Sequence, residues 1–342
     1  MKKRFLPLIL SAVLGFCFLT GCSSPSVLAF NNAYNGDVAP SGALTEVLTY
    51  EVNYDQKNLS SNVKNNENVS FEFSKGINQV TLTVLNNKPS LPEGIETNIF
   101  NLANSSVKYY HLVSTLSLPV KYVIDGEVYE HIDTVRQEVY FFDNTLSYAP
   151  IYSKTDIDYT VFFLGTEKSY LQKAISSSEI VYLEKSYSVK TNVYNENNQS
   201  PESMTTDYEY TFQTLVDNNQ LLFVLRNLPL EDEASTLIPT VSYSYGEAKD
   251  LKVLCETSTT KKININYNGN NLTENLSCRE LQYNINSINS AGSIQTLFVQ
   301  KNKGENLPYK ALPIVYEESL VAYGTFSPMG TLVYTLINVT NN

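Results

Sequence analysis

From Leu44 to Tyr54 the chain alternates, with Leu44, Glu46, Leu48, Tyr50, Val52 and Tyr54 on one face and Thr45, Thr49, Glu51 and Asn53 largely on the other. A period of two is the mark of a half-buried strand. Val69, Phe71 and Phe73 alternate with Ser70, Glu72 and Ser74; Gly76 follows, and Val80, Leu82 and Val84 alternate with threonines. This predicts a hairpin. Leu116, Leu118, Val120, Tyr122 and Ile124 run into Asp125-Gly126, and a return strand is expected from Glu127 to Phe142. Asp-Gly between two alternating runs is a strong short hairpin signal. Val181, Leu183, Tyr187, Val189 and Val193 predict one further long strand. Tyr208–Phe212 and Leu221–Leu225, joined through Asp217-Asn218-Asn219, predict another hairpin. Later strands are expected at 241–245, 251–256, 263–267, 281–285, 294–300, 312–317 and 331–339. Helix is scarce. Thr166–Ser177 places Tyr170, Leu171, Ala174 and Ile175 at helical spacing, and Asn98–Ala103 suits one short turn. The expected fold is mainly β: a large antiparallel, curved sheet or half-barrel with one or two short helices.

The first 22 residues follow a different pattern. Lys2, Lys3 and Arg4 precede an apolar run from Phe5 to Leu19, which ends in Leu19-Thr20-Gly21-Cys22. A basic start, a short apolar core and small residues before a cut describe a secretory signal. The run is short for a membrane-spanning helix. The Leu-Thr-Gly-Cys ending resembles the lipobox of bacterial lipoproteins. That resemblance implies cleavage before Cys22, whose sulfur receives a diacylglyceryl group and becomes the membrane anchor. Each buried lipid CH₂ contributes about 0.8 kcal/mol, and two or more chains hold a protein stably at a bilayer. Residues 1–21 are thus the expected signal peptide, 22–42 a tether rich in Ser, Ala, Asn, Gly and Pro, and 43–342 the extracytoplasmic body. The body is expected as one part, or as two dividing near 165–178.

Of the 342 residues, 42 % are hydrophobic and 17 % charged, which excludes a disordered chain. The 14 Gly and 13 Pro exclude a collagen-like polymer. Net charge is −11, so nothing favours nucleic acid as a partner. Cleavage would remove Lys2, Lys3 and Arg4 and no acid, leaving 21 basic and 35 acidic residues and a net charge of −14. A body of that sign is repelled by anionic headgroups, so the lipid alone is expected to hold it at the membrane.

Candidate chemistry is thin. The 25 Tyr are spread along alternating strands, where a packed ring and a wet hydroxyl suit a half-buried face. Asp156 and Asp158 share a strand face, and Glu231-Asp232-Glu233 and Glu317-Glu318 are further acidic groups; all are expected as solvated charge. His111 and His131 are the two histidines, outside any zinc or triad motif. A two-residue turn at 125–126 leaves them nine positions out of register across the hairpin. No catalytic residue, metal site or cofactor is therefore expected. Cys255 and Cys278 remain after processing, and an even pair in an exported chain is a candidate disulfide, worth about 3 kcal/mol by loop closure. If Ile263–Tyr267 lies between their strands, they stand roughly 9.5 Å apart, beyond the usual reach of about 7 Å.

The strands from Leu281 to Val339 resemble the unclosed β-barrel of lipoprotein-carrier and related envelope proteins. That resemblance implies a curved sheet holding acyl chains against a small helical plug. Three functions follow: a non-enzymatic envelope lipoprotein binding a partner or ligand through its sheet; an apolar-ligand carrier with a half-barrel cavity; and a hydrolase with an unrecognised site. A filled core favours the first, an apolar cavity the second, and a carboxylate or histidine in a deep cleft the third.

Overall fold

The computed structural model describes residues 45–103, 107–144, 147–165, 168–194, 201–210, 215–228, 231–242, 246–285, 295–302, 304–307, 311–322 and 327–341. Cys22, the signal peptide and the tether lie outside the described residues.

The order is β1 (Thr45–Asp55), a one-turn helix α1 (Ser61–Lys64), β2 (Val69–Phe73), β3 (Gly76–Leu85), a 3₁₀ turn (Ile99–Leu102), β4 (Tyr109–Ile124), β5 (Glu127–Asn144), β6 (Ser147–Phe163), β7 (Tyr170–Tyr182), β8 (Ser186–Tyr194) and β9 (Glu202–Glu209). There follow β10 (Val216–Asp217), a second 3₁₀ turn (Asn218–Gln220), the helix α2 (Leu221–Arg226), β11 (Ser235–Val241), β12 (Lys249–Cys255), β13 (Thr259–Tyr267), β14 (Asn270–Ile285), β15 (Gln295–Gln300), β16 (Pro313–Ala322) and β17 (Ser327–Asn341). The fold is mainly β, one large sheet with a barrel-like region and two short helices.

β1 is central and alternates as its sequence does, with Glu46, Leu48, Tyr50 and Val52 all buried. On one side it pairs with β3, and the antiparallel ladder continues through β4, β5, β6, β7 and β8 to β9. β2 extends the line of β3 along the far half of β4. On its other side β1 pairs with β17, and β16, β15 and β14 follow. β12 and β13 lie end to end along one edge of β14, and the end of β13 pairs in parallel with β17 through Asn266↔Asn338 and Tyr267↔Val339. That pairing closes a ring of strands from β13 to β17.

Local chemistry places the hairpins. Asp125 and Gly126 have φ of 52° and 83°, and Asn268 and Gly269 have 48° and 88°. Two successive positive φ values make the turn whose twist matches the flanking strands. The first joins β4 to β5 over sixteen paired residues, from Ile124↔Glu127 to Tyr109↔Phe142.

Two expectations are corrected. The helix expected over Thr166–Ser177 is not found among its described residues: Tyr170–Tyr182 is β7, paired with β6 from Phe163↔Tyr170 to Tyr152↔Val181. The same residues also satisfy a period of two toward their far end, where Ile180 and Tyr182 are buried, and the long ladder outweighs weak helical spacing. The suggested dividing point at 165–178 thus lies inside a paired hairpin. Conversely, Leu221–Leu225 is not a strand but most of α2. A short run that is apolar on every side suits either a buried strand or a buried helix. Here Phe223, Val224 and Leu225 are enclosed by the sheet.

α2 sits on the inner face of the sheet. Phe223 packs against Tyr110, Phe141 and Tyr148 with ring centroids 5.4, 5.0 and 4.8 Å away. Arg226 fixes the other end. Its guanidinium donates to Glu46 Oε1 at 2.6 Å and Oε2 at 3.3 Å, and its Nε donates to the Ala311 carbonyl at 2.8 Å. The inner face is therefore closed, around its middle, by the chain's own segment.

Candidate functional site

The two histidines lie on the β4–β5 ladder opposite Tyr140 and Val120, so they are not cross-strand neighbours. His111 stacks on Tyr140 with ring centroids 4.1 Å apart and planes 1° apart. Its Nε2 lies 2.8 Å from Glu138 Oε1, and Arg136 Nη1 donates to Glu138 Oε2 at 2.6 Å. The His111 hydrogen bond, with support from Arg136, holds the Glu138 carboxyl down to about 2.

His131 stands where the sheet divides. β5 pairs with β6 only from Thr134↔Asp158 onward, leaving Glu127–Asp133 bonded to β4 alone. At this fork His131 Nε2 lies 3.2 Å from Asp158 Oδ1 and 3.8 Å from Asp133 Oδ1, while Lys173 Nζ lies 3.4 Å from Asp158. Asp133 Oδ1 accepts the Thr160 N–H at 2.9 Å, taking the place of the missing ladder bond. Burial pushes the Asp133 carboxyl up to about 6 against the pull of Thr160 and His131.

The paired acids separate by strand geometry. Asp156 is held by Lys154 at 3.3 Å and by the Ser177 hydroxyl at 2.7 Å, whereas Asp158 belongs to the His131 fork. Asp232 is exposed and accepts from Ser258 and Lys301. Glu317 and Glu318 point to opposite faces, as successive strand residues must. Glu317 faces outward, 3.7 Å from Lys57. Glu318 faces inward, which corrects the expectation of solvated charge at both.

Cys255 and Cys278 are free and buried. They do not flank a third strand. Cys255 sits opposite Leu281 on β14 itself, three residues from Cys278. Three rises and one strand spacing put their Cα atoms roughly 11 Å apart, too far for a disulfide without a shift of β14. Burial raises both thiols, Cys278 to about 11.

Two polar groups on the inner face carry no signal in the sequence. The first is Asp217, fully enclosed, which accepts from the Ser153 hydroxyl at 2.5 Å, the Tyr182 hydroxyl and the Asn219 N–H at 2.7 Å. It ties β10 to β6 and β7. Burial raises its carboxyl, and the Ser153 and Tyr182 bonds oppose that rise.

The second is a cluster around Glu318. Tyr316 and Tyr334 stack at 3.9 Å and 13°, and Tyr50 meets Tyr316 edge-on at 5.3 Å. Asn78 Nδ2 donates to the Tyr316 hydroxyl at 2.5 Å, and Ser114 Oγ donates to Asn78 Oδ1 at 3.0 Å. Because Asn78 is on β3 and Tyr316 on β16, with β1 and β17 between them, that bond spans the inner face. The Tyr334 hydroxyl donates to Glu318 Oε2 at 3.0 Å. Burial raises the Glu318 carboxyl despite that bond, and Tyr283 on β14 is raised by burial and by the Glu318 charge. Glu318, Tyr316 and Tyr283 are partly buried.

No protein-family model matches this chain, and no curated protein matches it either. Among solved structures it is similar to a β-barrel-like protein of a domain of unknown function, DUF1849, from Brucella abortus. The TM-score is 0.42 at 8 % identity, covering 88 % of this chain and 98 % of that one.

Proposed function

We propose that this chain is a lipid-anchored lipoprotein of the bacterial cell envelope that acts by binding a partner through its sheet, not by catalysis. The lipobox-like Leu19-Thr20-Gly21-Cys22 supports the anchor. The observation that carries the binding reading is a pair of exposed apolar residues near the β4–β5 turn. The tether enters at the start of β1, beside Tyr109 at the start of β4 through the β1–β3–β4 ladder. The Asp125-Gly126 turn lies at the other end of β4, about 50 Å along the strand. There Val128 is 57 % and Ile132 55 % exposed, and both lie on one side of β5. Exposed apolar side chains on one side of a strand suit a protein partner.

The histidines favour a non-catalytic reading, since each is bound to carboxylates with no serine or cysteine nucleophile in the contact. Beside α2 little room is left for an acyl chain. The space between Leu48, Val80, Leu82, Leu112, Leu222 and Phe223 is about 10 Å³, enough for one water. Ligand pockets run to hundreds of Å³.

Photo-crosslinking in cells tests the binding surface. A crosslinker at position 128 or 132 is expected to give one discrete adduct, lost when Val128 and Ile132 are both changed to Asp. Adducts from positions elsewhere on the sheet, with none from this hairpin, would contradict the reading.

A further inference from the structure

We propose that the free edge of β5, from Glu127 to Asp133, takes up an extended segment of a partner protein as an added strand, and that this segment alternates apolar, basic and apolar side chains on its outer face. The proposal rests on the binding reading above, to which it adds the mode of recognition and the chemistry of the partner.

The edge is left open where the sheet forks. β5 pairs with β4 from Glu127 onward, but β6 joins it only at Thr134↔Asp158. Among the described residues, no strand pairs with the other side of Glu127–Asp133. The Asp125-Gly126 turn fixes which backbone groups are left over. Residues that close a two-residue hairpin of this type, here Ile124 and Glu127, exchange both of their hydrogen bonds. Alternation then turns the N–H and C=O of Val128, Glu130 and Ile132 away from β4. The Ser74 N–H, which donates to the Pro119 carbonyl at 3.0 Å, fits this phase: Pro119 lies opposite Ile132, and its carbonyl likewise points away from its β5 partner. Asp133 marks the end of the open stretch, its Oδ1 accepting the Thr160 N–H of β6. A row of outward backbone donors and acceptors is what an added strand recognises.

The side chains select the occupant. On the outer face Glu72, Lys121 and Glu130 form one row across β2, β4 and β5, with Lys121 Nζ 3.6 Å from Glu130 Oε1. Charge alternates along the row, which ends in a Glu130 side chain that is 70 % exposed. A lysine or arginine on the added strand continues the alternation, and opposite charges across a strand pair are stabilising. The rows on either side end in apolar residues, Val128 beyond Val123 and Ile132 beyond Pro119. The added strand thus meets apolar, acidic and apolar positions at every second residue. A second copy of this chain is mismatched: two β5 edges paired antiparallel about Glu130 set Glu130 against Glu130 and Glu127 against Asp133, and like charges in such pairs repel. The net charge of −11 also favours approach of a basic segment.

The test titrates the full chain in detergent, by fluorescence anisotropy, with two labelled peptides: Ser-Val-Thr-Lys-Thr-Val-Ser and the same peptide with Glu in place of Lys. Saturable binding is expected, tighter for the lysine peptide by about threefold or more, and Glu130→Lys should reverse the order. Because Glu130 is exposed, that substitution leaves the fold intact. Hydrogen–deuterium exchange with the lysine peptide bound should slow within 127–133. No saturable binding, an order that Glu130→Lys does not reverse, or slowing confined to another strand would overturn the proposal. The crosslinking at positions 128 and 132 fails separately. A discrete cellular adduct without peptide binding overturns strand addition and keeps the binding reading; peptide binding at this edge without an adduct supports the edge chemistry and overturns the cellular reading.

Discussion

Asp133 bears its charge at a cost. Its carboxyl is pushed up from 3.8 to about 6, chiefly by burial. A carboxyl raised in the folded state binds its proton more tightly there than in the unfolded chain. The penalty is absent below about pH 4, grows as pH rises through 6, and is full above it. Asp133→Asn keeps an oxygen to accept the Thr160 N–H and removes the charge. It should raise stability at pH 7 by at most about 3 kcal/mol and change little at pH 4, read as melting temperature against pH. A gain that is equal at both pH values would contradict the assignment. Gly330 is a second residue with a specific consequence. Its φ is 102°, and an added Cβ would meet the Asp55 carbonyl and the Tyr54 ring at 2.7 Å. Gly330→Ala should therefore cost about 1–3 kcal/mol through strain and displacement of β1, measured by denaturant unfolding.

At the scale of elements, the β4–β5 hairpin was legible because everything that sets it is local: an Asp-Gly turn and two alternating flanks. α2 was not. Its five apolar residues carry no period that separates helix from strand, and what decides is the sheet packed around them. The end of β16 was missed for a related reason. A strand was expected at 312–317, but β16 continues to Ala322 with Glu318 turned inward. The signal was present, since Tyr316, Glu318 and Leu320 keep one phase, and a single acid in phase with apolar neighbours marks a polar group facing the core. The helix α2 also supplies a prediction. Glu46→Ala removes the carboxylate paired with the enclosed Arg226 charge, which should cost about 3–5 kcal/mol. Replacing both partners, Glu46→Leu with Arg226→Met, should recover most of that loss, because well-packed apolar side chains need no counter-charge. Urea unfolding of the single and double variants gives both numbers.

For the whole molecule, the sequence pointed to a mainly β, curved sheet, and the structure agrees. What it did not disclose is closure. The parallel contact between β13 and β17 joins residues some 70 apart through two pairs, and no local pattern encodes it. The cluster around Glu318 inherits that difficulty, since its rings come from β1, β16 and β17 and meet only when those strands are paired. The account of the protein as an anchored binder rests most heavily on its other end, at Cys22. Intact-mass and N-terminal peptide mass spectrometry of the membrane fraction addresses it directly. The expected result is a chain that begins at Cys22 and carries acyl chains, with Cys22→Ala moving the protein out of that fraction. A chain with an unmodified terminus elsewhere, or a Cys22→Ala protein that stays in the membrane, would contradict it.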